Sequence, residues 1–280
     1  MDAQAYLSRI GFTGPLSPNL DVLRSLHTQH LLSVPFENLT AHSGGQVQLD
    51  LPLLHHKIVS LRRGGFCYEN NGLFSWLLGQ LGFQVTQLSA QVKNAHTGRY
   101  GPPFDHLTLM VTLDGHRWLC DVGFGSSGFS SPVSLETSGP QEQGHRVYRI
   151  RAAEGMLFLE WQPENRGAEG GWVELYKFTL EPRRLEDFAE RCHYHQTSPH
   201  SLFFCKSLCT LLKPGGRVTY VGHRLTTTTF PAGGQGGVME TTRELKDEEL
   251  PGILAEMFGV VLTSPLIPKD EEIIPPPVMY

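Results

Sequence analysis

Cys67, His106 and Asp121 are residue types that together support nucleophilic catalysis, and each stands in a suggestive local setting. Cys67 lies in RRGGFCYENNGLF, directly after Gly64-Gly65 and at the head of an apolar-periodic stretch. A helix that starts there places the thiol at a helix N-terminus, whose free N–H groups and dipole stabilise negative charge. Such a setting lowers a thiol pKa and favours the thiolate, the reactive form. The two glycines are expected to let the backbone turn tightly and to leave room for a substrate. Cys120, Cys192, Cys205 and Cys209 lack this setting and read as small buried hydrophobes.

His106 and Asp121 are linked by a turn. HLTLMVTL and HRWLCDVG flank Asp114-Gly115, a strong two-residue hairpin signal. With those two residues as the loop, Met110 faces Leu119 and Thr108 faces Asp121. His106 lies two residues beyond Thr108 on the same face, a diagonal neighbour of Asp121. Cys120 points to the opposite face. A register slip of one residue would undo the pairing. A lone His at a strand start is commonly a satisfied polar group, and a lone Asp before Val122-Gly123 can simply cap a turn. The pairing is what makes the two a candidate site.

A thiolate, a histidine base and an aspartate that orients the histidine form a generalised triad. By chemistry alone this supports either acyl transfer or amide hydrolysis by a cysteine hydrolase (amidase or protease). It does not choose between them. An acyl acceptor assay separates the two, because a transferase makes amide faster than free acid. A non-catalytic binding protein is a third reading, disfavoured by the intact triad.

The elements that must position these residues change character along the chain. Residues 1–83 read as mostly helical: Leu20, Leu23, Leu26 and Leu31-Leu32 recur at helical spacing between Pro18 and Pro35. A second helix is expected from about Cys67 to Leu81, with Leu73, Phe74, Leu77, Leu78 and Leu81 on one face and Gly82 ending it. From Phe83 the period becomes two, and FQVTQLSAQV, HLTLMVTL, HRWLCDVG, VYRIR, MLFLEW and WVELYKFTL read as strands of a sheet or small barrel over 84–182. Residues 183–280 are mixed: a short helix over 183–192, strands in FFCKSLCTLL, RVTYVG and HRLTTTTF, and a last helix in DEELPGILAEMFG, interrupted or started by Pro251. An extended tail with three consecutive prolines follows. The fold class is α+β, helical, then β, then mixed α/β, with the three parts packed together.

Composition bounds the remaining possibilities. The 280 residues carry 23 Lys+Arg against 28 Asp+Glu, a net charge of −5, so a nucleic-acid-binding surface is not suggested, although a local basic patch is compatible with that balance. No apolar run is long enough to span a bilayer, and MDAQAYLSRIGF has no secretory apolar core. Five irregularly spaced cysteines point to free thiols and a reducing, cytoplasmic setting. None of the thirteen histidines, His55-His56 and His193/His195 included, has metal-ligand spacing with cysteine, so no metal is expected. Arg63 beside Gly64 reads as structural, with Glu37 its natural partner.

RRGGFCYENNGLF, FDHLTLMV and DVGFG resemble the three signature segments of the arylamine N-acetyltransferases, and VPFENL and FTLEPRRLEDF are also similar to segments of that family. The resemblance spans nearly the whole chain. It implies a helical bundle, a β-barrel and an α/β lid, with acetyl-CoA as donor and arylamines, hydrazines or N-hydroxyarylamines as acceptors. It implies a ping-pong route through an acetyl-cysteine thioester, with Cys67, His106 and Asp121 as the catalytic residues. It places Phe36, Val92 and Phe124 in the acceptor pocket, and Tyr194 and the TSPHS stretch ending at Ser201 near CoA. No phosphate loop of the G-x-x-x-x-G-K type is present, so the CoA phosphates must be held in another way.

Overall fold

Side-chain caps start the first three helices of the computed structural model, which describes residues 1–95, 97–163, 171–231 and 237–274. Asp2 caps α1 (Ala3–Arg9), Asn19 caps α2 (Leu20–Ser33) and Asp50 caps α3 (Leu51–His55), each accepting a backbone N–H that the helix itself cannot satisfy. Between α2 and α3 lies a two-residue strand, β1 (Phe36–Glu37), which hydrophobic periodicity does not reveal.

α4 (Cys67–Gln80) is the helix expected from the periodicity, and Gly82 follows it in the left-handed region, at φ +86. It differs in being buried nearly all round. Glu69, Asn70 and Asn71 are as inaccessible as Leu73, Phe74 and Leu77. A helix packed on several sides needs partners for its polar residues. Glu69 accepts the Phe66 N–H at 3.1 Å and Asn70 donates to the Gly65 carbonyl at 2.8 Å, so both secure the turn in front of Cys67.

The central sheet is antiparallel throughout. It comprises β2 (Gln84–Val92), β3 (His106–Leu113), β4 (His116–Cys120), β5 (Val133–Ser134), β6 (Gln141–Gln143), β7 (Arg146–Ala153), β8 (Met156–Gln162) and β9 (Val173–Arg183), in the order β5-β4-β3-β2-β9-β8-β7-β6. The sheet curls until its ends meet. Gln141 on β6 both accepts from and donates to the main chain of Ser134 on β5, and Gln143 does the same with Ser131. One face encloses Leu88, Ala90, Leu119, Tyr148, Leu159 and Tyr176. The other presents Leu107, Leu109, Val111 and Cys120 to the helices. The β3–β4 hairpin has the expected register, Leu113 opposite His116 and Met110 opposite Leu119. Asp114 and Gly115 both have positive φ, +50 and +80, as a two-residue primed turn requires.

After β9 come α5 (Ala189–Thr197), α6 (Leu202–Cys205), β10 (Leu208–Lys213), β11 (Gly216–Val221), β12 (Arg224–Thr229), β13 (Met239–Glu244) and α7 (Leu250–Phe258). The segment FFCKSLCTLL, expected as one strand, is divided. Ser201 caps a short turn of helix, and the strand begins only at Leu208. Pro251 lies in the first turn of α7, where its missing N–H leaves no bond unmade, so it starts that helix. β10 to β13 form a second antiparallel sheet whose edge is completed by β1, Phe36 pairing with Thr210. The three consecutive prolines of the tail lie outside the described residues. Among the described residues, no helix is long and apolar enough to cross a membrane.

Candidate active site

Asp121 follows β4 and is fully buried, and four donors meet its carboxylate. His106 Nε2–H donates to Oδ2 at 2.6 Å and Tyr176 Oη–H to the same oxygen at 3.0 Å. Asn71 Nδ2–H and the Gly123 N–H reach Oδ1 at 2.8 and 3.0 Å. Burial alone would raise the carboxyl pKa. The charge and hydrogen bond of His106, with the Asn71 and Gly123 donors, outweigh it and hold Asp121 below its ordinary value. The Asp121 N–H donates to His27 Nε2 at 3.1 Å, so His27 carries its proton on Nδ1, facing the Ser130 carbonyl at 3.2 Å. Burial lowers His27 to about 4 and keeps it neutral.

His106 thus has Nε2 committed to Asp121, which leaves Nδ1 to act as acceptor or base. The rings of Phe124 and Tyr176 pack at 5.1 and 5.3 Å from the imidazole. The approach to His106 is itself fixed. Tyr68 Oη–H donates to the Phe104 and Asp105 carbonyls, and Arg191 pairs with the Asp105 carboxylate at 2.7 Å. Phe104, between them, has φ +62, a left-handed conformation that a non-glycine residue keeps only where its surroundings impose it.

Cys67, the first residue of α4, is 3 % exposed. Its thiol faces the backbone of Leu107, the residue after His106. One turn further along α4, Asn71 donates to the Leu107 carbonyl and to Asp121 and accepts the Val122 N–H, tying the helix to both strand ends. A Cβ at Gly123 would lie 2.8 Å from Cys67 Cα, so only glycine allows the Asp121-Val122-Gly123 run to rest against the helix start. A hydrogen bond therefore joins His106, at a strand start, to Asp121, at a strand end, and the Leu107 backbone and Gly123 beside them lie against the helix start at Cys67.

Two expectations are corrected. Gly64 and Gly65 do not supply a turn with positive φ; they permit close contact. A Cβ on Gly64 would lie 1.9 Å from the Pro35 carbonyl oxygen, and one on Gly65 would strike the Glu69 side chain. Nor does the helix start suffice to hold a thiolate. Burial pushes the Cys67 pKa well above the ordinary thiol value, the Leu107 backbone opposes this, and Asp105 and Asp121 push further upward. A thiolate there needs a cation beside it.

The Arg63–Glu37 pair is bidentate and buried, at 2.8 and 3.0 Å, and Glu37 also accepts the Leu39 and Gly64 N–H groups. Removing one partner of such a pair typically costs about 3–5 kcal/mol, so it anchors β1 firmly to the loop before Cys67. Phe36, beside Glu37, bridges to Gly65, packs at a tilt on the Phe203 ring at 5.9 Å and closes against Gly125. Phe124 packs on Tyr176, and Val92 is the register partner of Tyr176, so both belong to the apolar surroundings of the His106–Asp121 pair. Tyr194, on α5, carries the Arg191 guanidinium over its ring at 4.0 Å. The Ser201 hydroxyl is buried, accepting the Phe203 N–H and bonding His195 Nδ1 at 2.8 Å. Among the described residues, no group of His, Cys, Asp and Glu could hold a metal ion.

Asn71, Tyr176 and His27 were not legible as site residues. Asn71 carried a faint signal, standing four residues after Cys67 and so on the same helical face. Tyr176 and His27 come from distant segments and had none.

The family model described as N-acetyltransferase matches residues 19–267. The chain is 34% identical over 282 residues to the arylamine N-acetyltransferase, pineal gland isozyme NAT-10, of Gallus gallus, covering 96% of this chain and 97% of that one. It is similar to the arylamine N-acetyltransferase structure from M. tuberculosis, with a TM-score of 0.81 and 33% identity over 93% of both chains. It is also similar to the Mycobacterium marinum arylamine N-acetyltransferase in complex with CoA, with a TM-score of 0.80 and 30% identity over 92% of this chain and 93% of that one. By sequence and by fold, this chain belongs to the arylamine N-acetyltransferase family of acyltransferases.

Proposed function

We propose that Cys67 carries the acetyl group, His106 moves the protons and Asp121 orients His106, with acetyl-CoA as donor and an arylamine or hydrazine as acceptor. The observation that carries this reading is the 2.6 Å His106–Asp121 hydrogen bond, seated against the helix that begins at Cys67. In the first half-reaction the Cys67 sulfur attacks the acetyl carbonyl, a new thioester forms on Cys67, and the CoA thiolate leaves with a proton from His106. In the second, the amine attacks that thioester, His106 accepts the amine proton, and the Cys67 sulfur departs as the amide forms. Asp121 keeps Nε2–H of the imidazole engaged in both steps and stabilises the imidazolium, so that Nδ1 does the transfer.

Acetyl-CoA is supported by the relative solved with CoA, and the arylamine acceptor by the relatives' names. Tyr194 and Ser201 are the family-matched candidates for the CoA side, Ser201 acting through the α6 cap that it supplies. A cytoplasmic setting follows from a mechanism that needs a reduced sulfur and from five unpaired cysteines. Burial of the three site residues limits access of water, which favours transfer to an amine over hydrolysis to acetate.

The test is a two-substrate assay with acetyl-CoA and a panel of arylamines and hydrazines. Amide should form faster than free acetate, with parallel double-reciprocal lines; intersecting lines, or acetate as the main product, would favour a sequential enzyme or a hydrolase. Within the same panel, Phe124→Ser should change the relative kcat/KM of aromatic acceptors by about 1–3 kcal/mol, the scale of apolar pocket discrimination. An unchanged ranking would remove Phe124 from the acceptor pocket.

A further inference from the structure

A cavity of about 480 Å3 lies between the C-terminal end of α2, the β6–β7 turn and the β10–β11 hairpin. It shares walls with the site. Phe36, which bridges to Gly65, lines it, as do Val122, the residue after Asp121, and Gly125, the residue after Phe124. Its interior is largely apolar, with Leu31, Val34, Phe129 and Leu212.

The charged part of the lining is of one sign. Arg146, Arg217 and Lys213 line the cavity and no carboxylate does, and among the described residues none of the three forms a salt bridge. Arg146 and Arg217 both donate to the same acceptor, the Ser126 carbonyl, at 3.1 and 2.7 Å, which holds two half-buried guanidinium groups within two hydrogen-bond lengths of each other. Aromatic faces position them: Arg146 lies over Trp161 at 4.9 Å and Arg217 over Phe230 at 5.8 Å. Arg217 Nε is buried without a hydrogen-bond partner. So is Nε2 of His145, which stacks on Phe230 at 3.7 Å. Burial and the neighbouring Arg146 depress the Arg217 pKa, outweighing the opposing pull of Glu240 and Tyr148, and burial with both arginines depresses that of His145 to about 4. Two like charges and two orphaned polar atoms in one half-buried place are unfavourable unless a negative group completes them.

We propose that Arg146, Arg217 and Lys213 form an anion-recognition subsite that takes the phosphate or carboxylate of a substrate of the acetyl transfer. The inference rests on the proposed function, and what ties the cavity to that site is the wall of Phe36, Val122 and Gly125 that the two share. It also answers a problem of charge. A protein of net charge −5 repels an anionic substrate at long range, and this cluster reverses the sign locally. The anion has two possible sources, the phosphates of the CoA donor and an acidic group on the acceptor ring.

The experiment compares Arg217→Gln with the unmutated enzyme on two substrate pairs. The donor pair is acetyl-CoA and acetyl-pantetheine, which lacks the nucleotide phosphates, each with an uncharged arylamine. The acceptor pair is a carboxylate-bearing arylamine and an uncharged one, each with acetyl-CoA. Within one pair, kcat/KM for the anionic member should fall relative to its uncharged counterpart by about tenfold or more, the scale of one charge-assisted hydrogen bond. A shifted donor ratio identifies the phosphate, and a shifted acceptor ratio the carboxylate. Arg217→Lys should recover part of the lost ratio, which a merely structural role would not predict. If Arg217→Gln does not fold, Arg146→Gln and Lys213→Gln read the same ratios. Ratios unchanged in both pairs overturn the subsite. Failure of the unmutated enzyme to acetylate any arylamine would instead overturn the proposed function.

Discussion

Asp121→Asn is expected to give a folded protein whose kcat for acetyl transfer is lower by about 10⁴-fold, the scale seen when the orienting carboxylate of a triad becomes an amide. The large effect follows from the geometry. The carboxylate accepts from His106 and Tyr176 on one oxygen and from Asn71 and Gly123 on the other. An amide has one accepting oxygen, so its NH2 must oppose either the His106 Nε2–H or the Asn71 and Gly123 donors. The first outcome drives the imidazole to the wrong tautomer, and the second loosens the tie between α4 and the strand ends. Steady-state kinetics, with circular dichroism to confirm folding, checks the result; a folded variant within tenfold of normal turnover would reject the orienting role. Stability should respond to pH in the same sense. The folded pKa of Asp121 is depressed, so its contribution is present above the unfolded carboxylate value of about 4 and is lost as pH falls through the lower folded value.

His106→Ala should convert Cys67 from a fast-reacting thiol to an unusually slow one. On the proposed mechanism the His106 imidazole, backed by the buried Asp121 carboxylate, supplies the positive charge that a thiolate requires. His-paired cysteines titrate at about 3.5–7.5, so iodoacetamide should label Cys67 readily near pH 6, with little further gain toward pH 9. Without the imidazole, burial acts together with Asp105 and Asp121, and all three push the thiol upward. The variant should then label more slowly than an ordinary free thiol at every pH below about 8.5, the usual thiol value. The other four cysteines are buried and serve as internal slow controls. Peptide mass spectrometry gives the rate at each cysteine. A single rise near the ordinary thiol value in the unmutated protein would contradict the ion pair.

The parts of this site that were legible in the sequence are those set by local rules. Asp114-Gly115 admits one kind of tight turn, and from it the register that makes His106 and Asp121 neighbours follows by counting. Cys67 at a helix start was equally local, because the apolar period begins there. The parts that stayed hidden depend on contacts between distant segments. Tyr176 reaches Asp121 across 55 positions and His27 across 94, and nothing in either neighbourhood announces a partner. Gly64 and Gly65 read in sequence as a turn, whereas their close approach to Pro35 and Glu69 exists only in the folded chain. In FFCKSLCTLL one cap, the Ser201 side chain, overrides a strand-like composition and divides the segment. The cationic rim of the cavity was hidden by the acidic net charge, which averages over positions that the fold separates.

The central claim is that the acetyl group passes through Cys67. The protein is mixed with acetyl-CoA in the absence of any amine, quenched in acid, and its intact mass and peptide masses are measured. One acetyl group on the Cys67 peptide, removed on adding an arylamine with stoichiometric appearance of the amide, is the predicted result. An unmodified Cys67 in a preparation that still acetylates arylamines would contradict it.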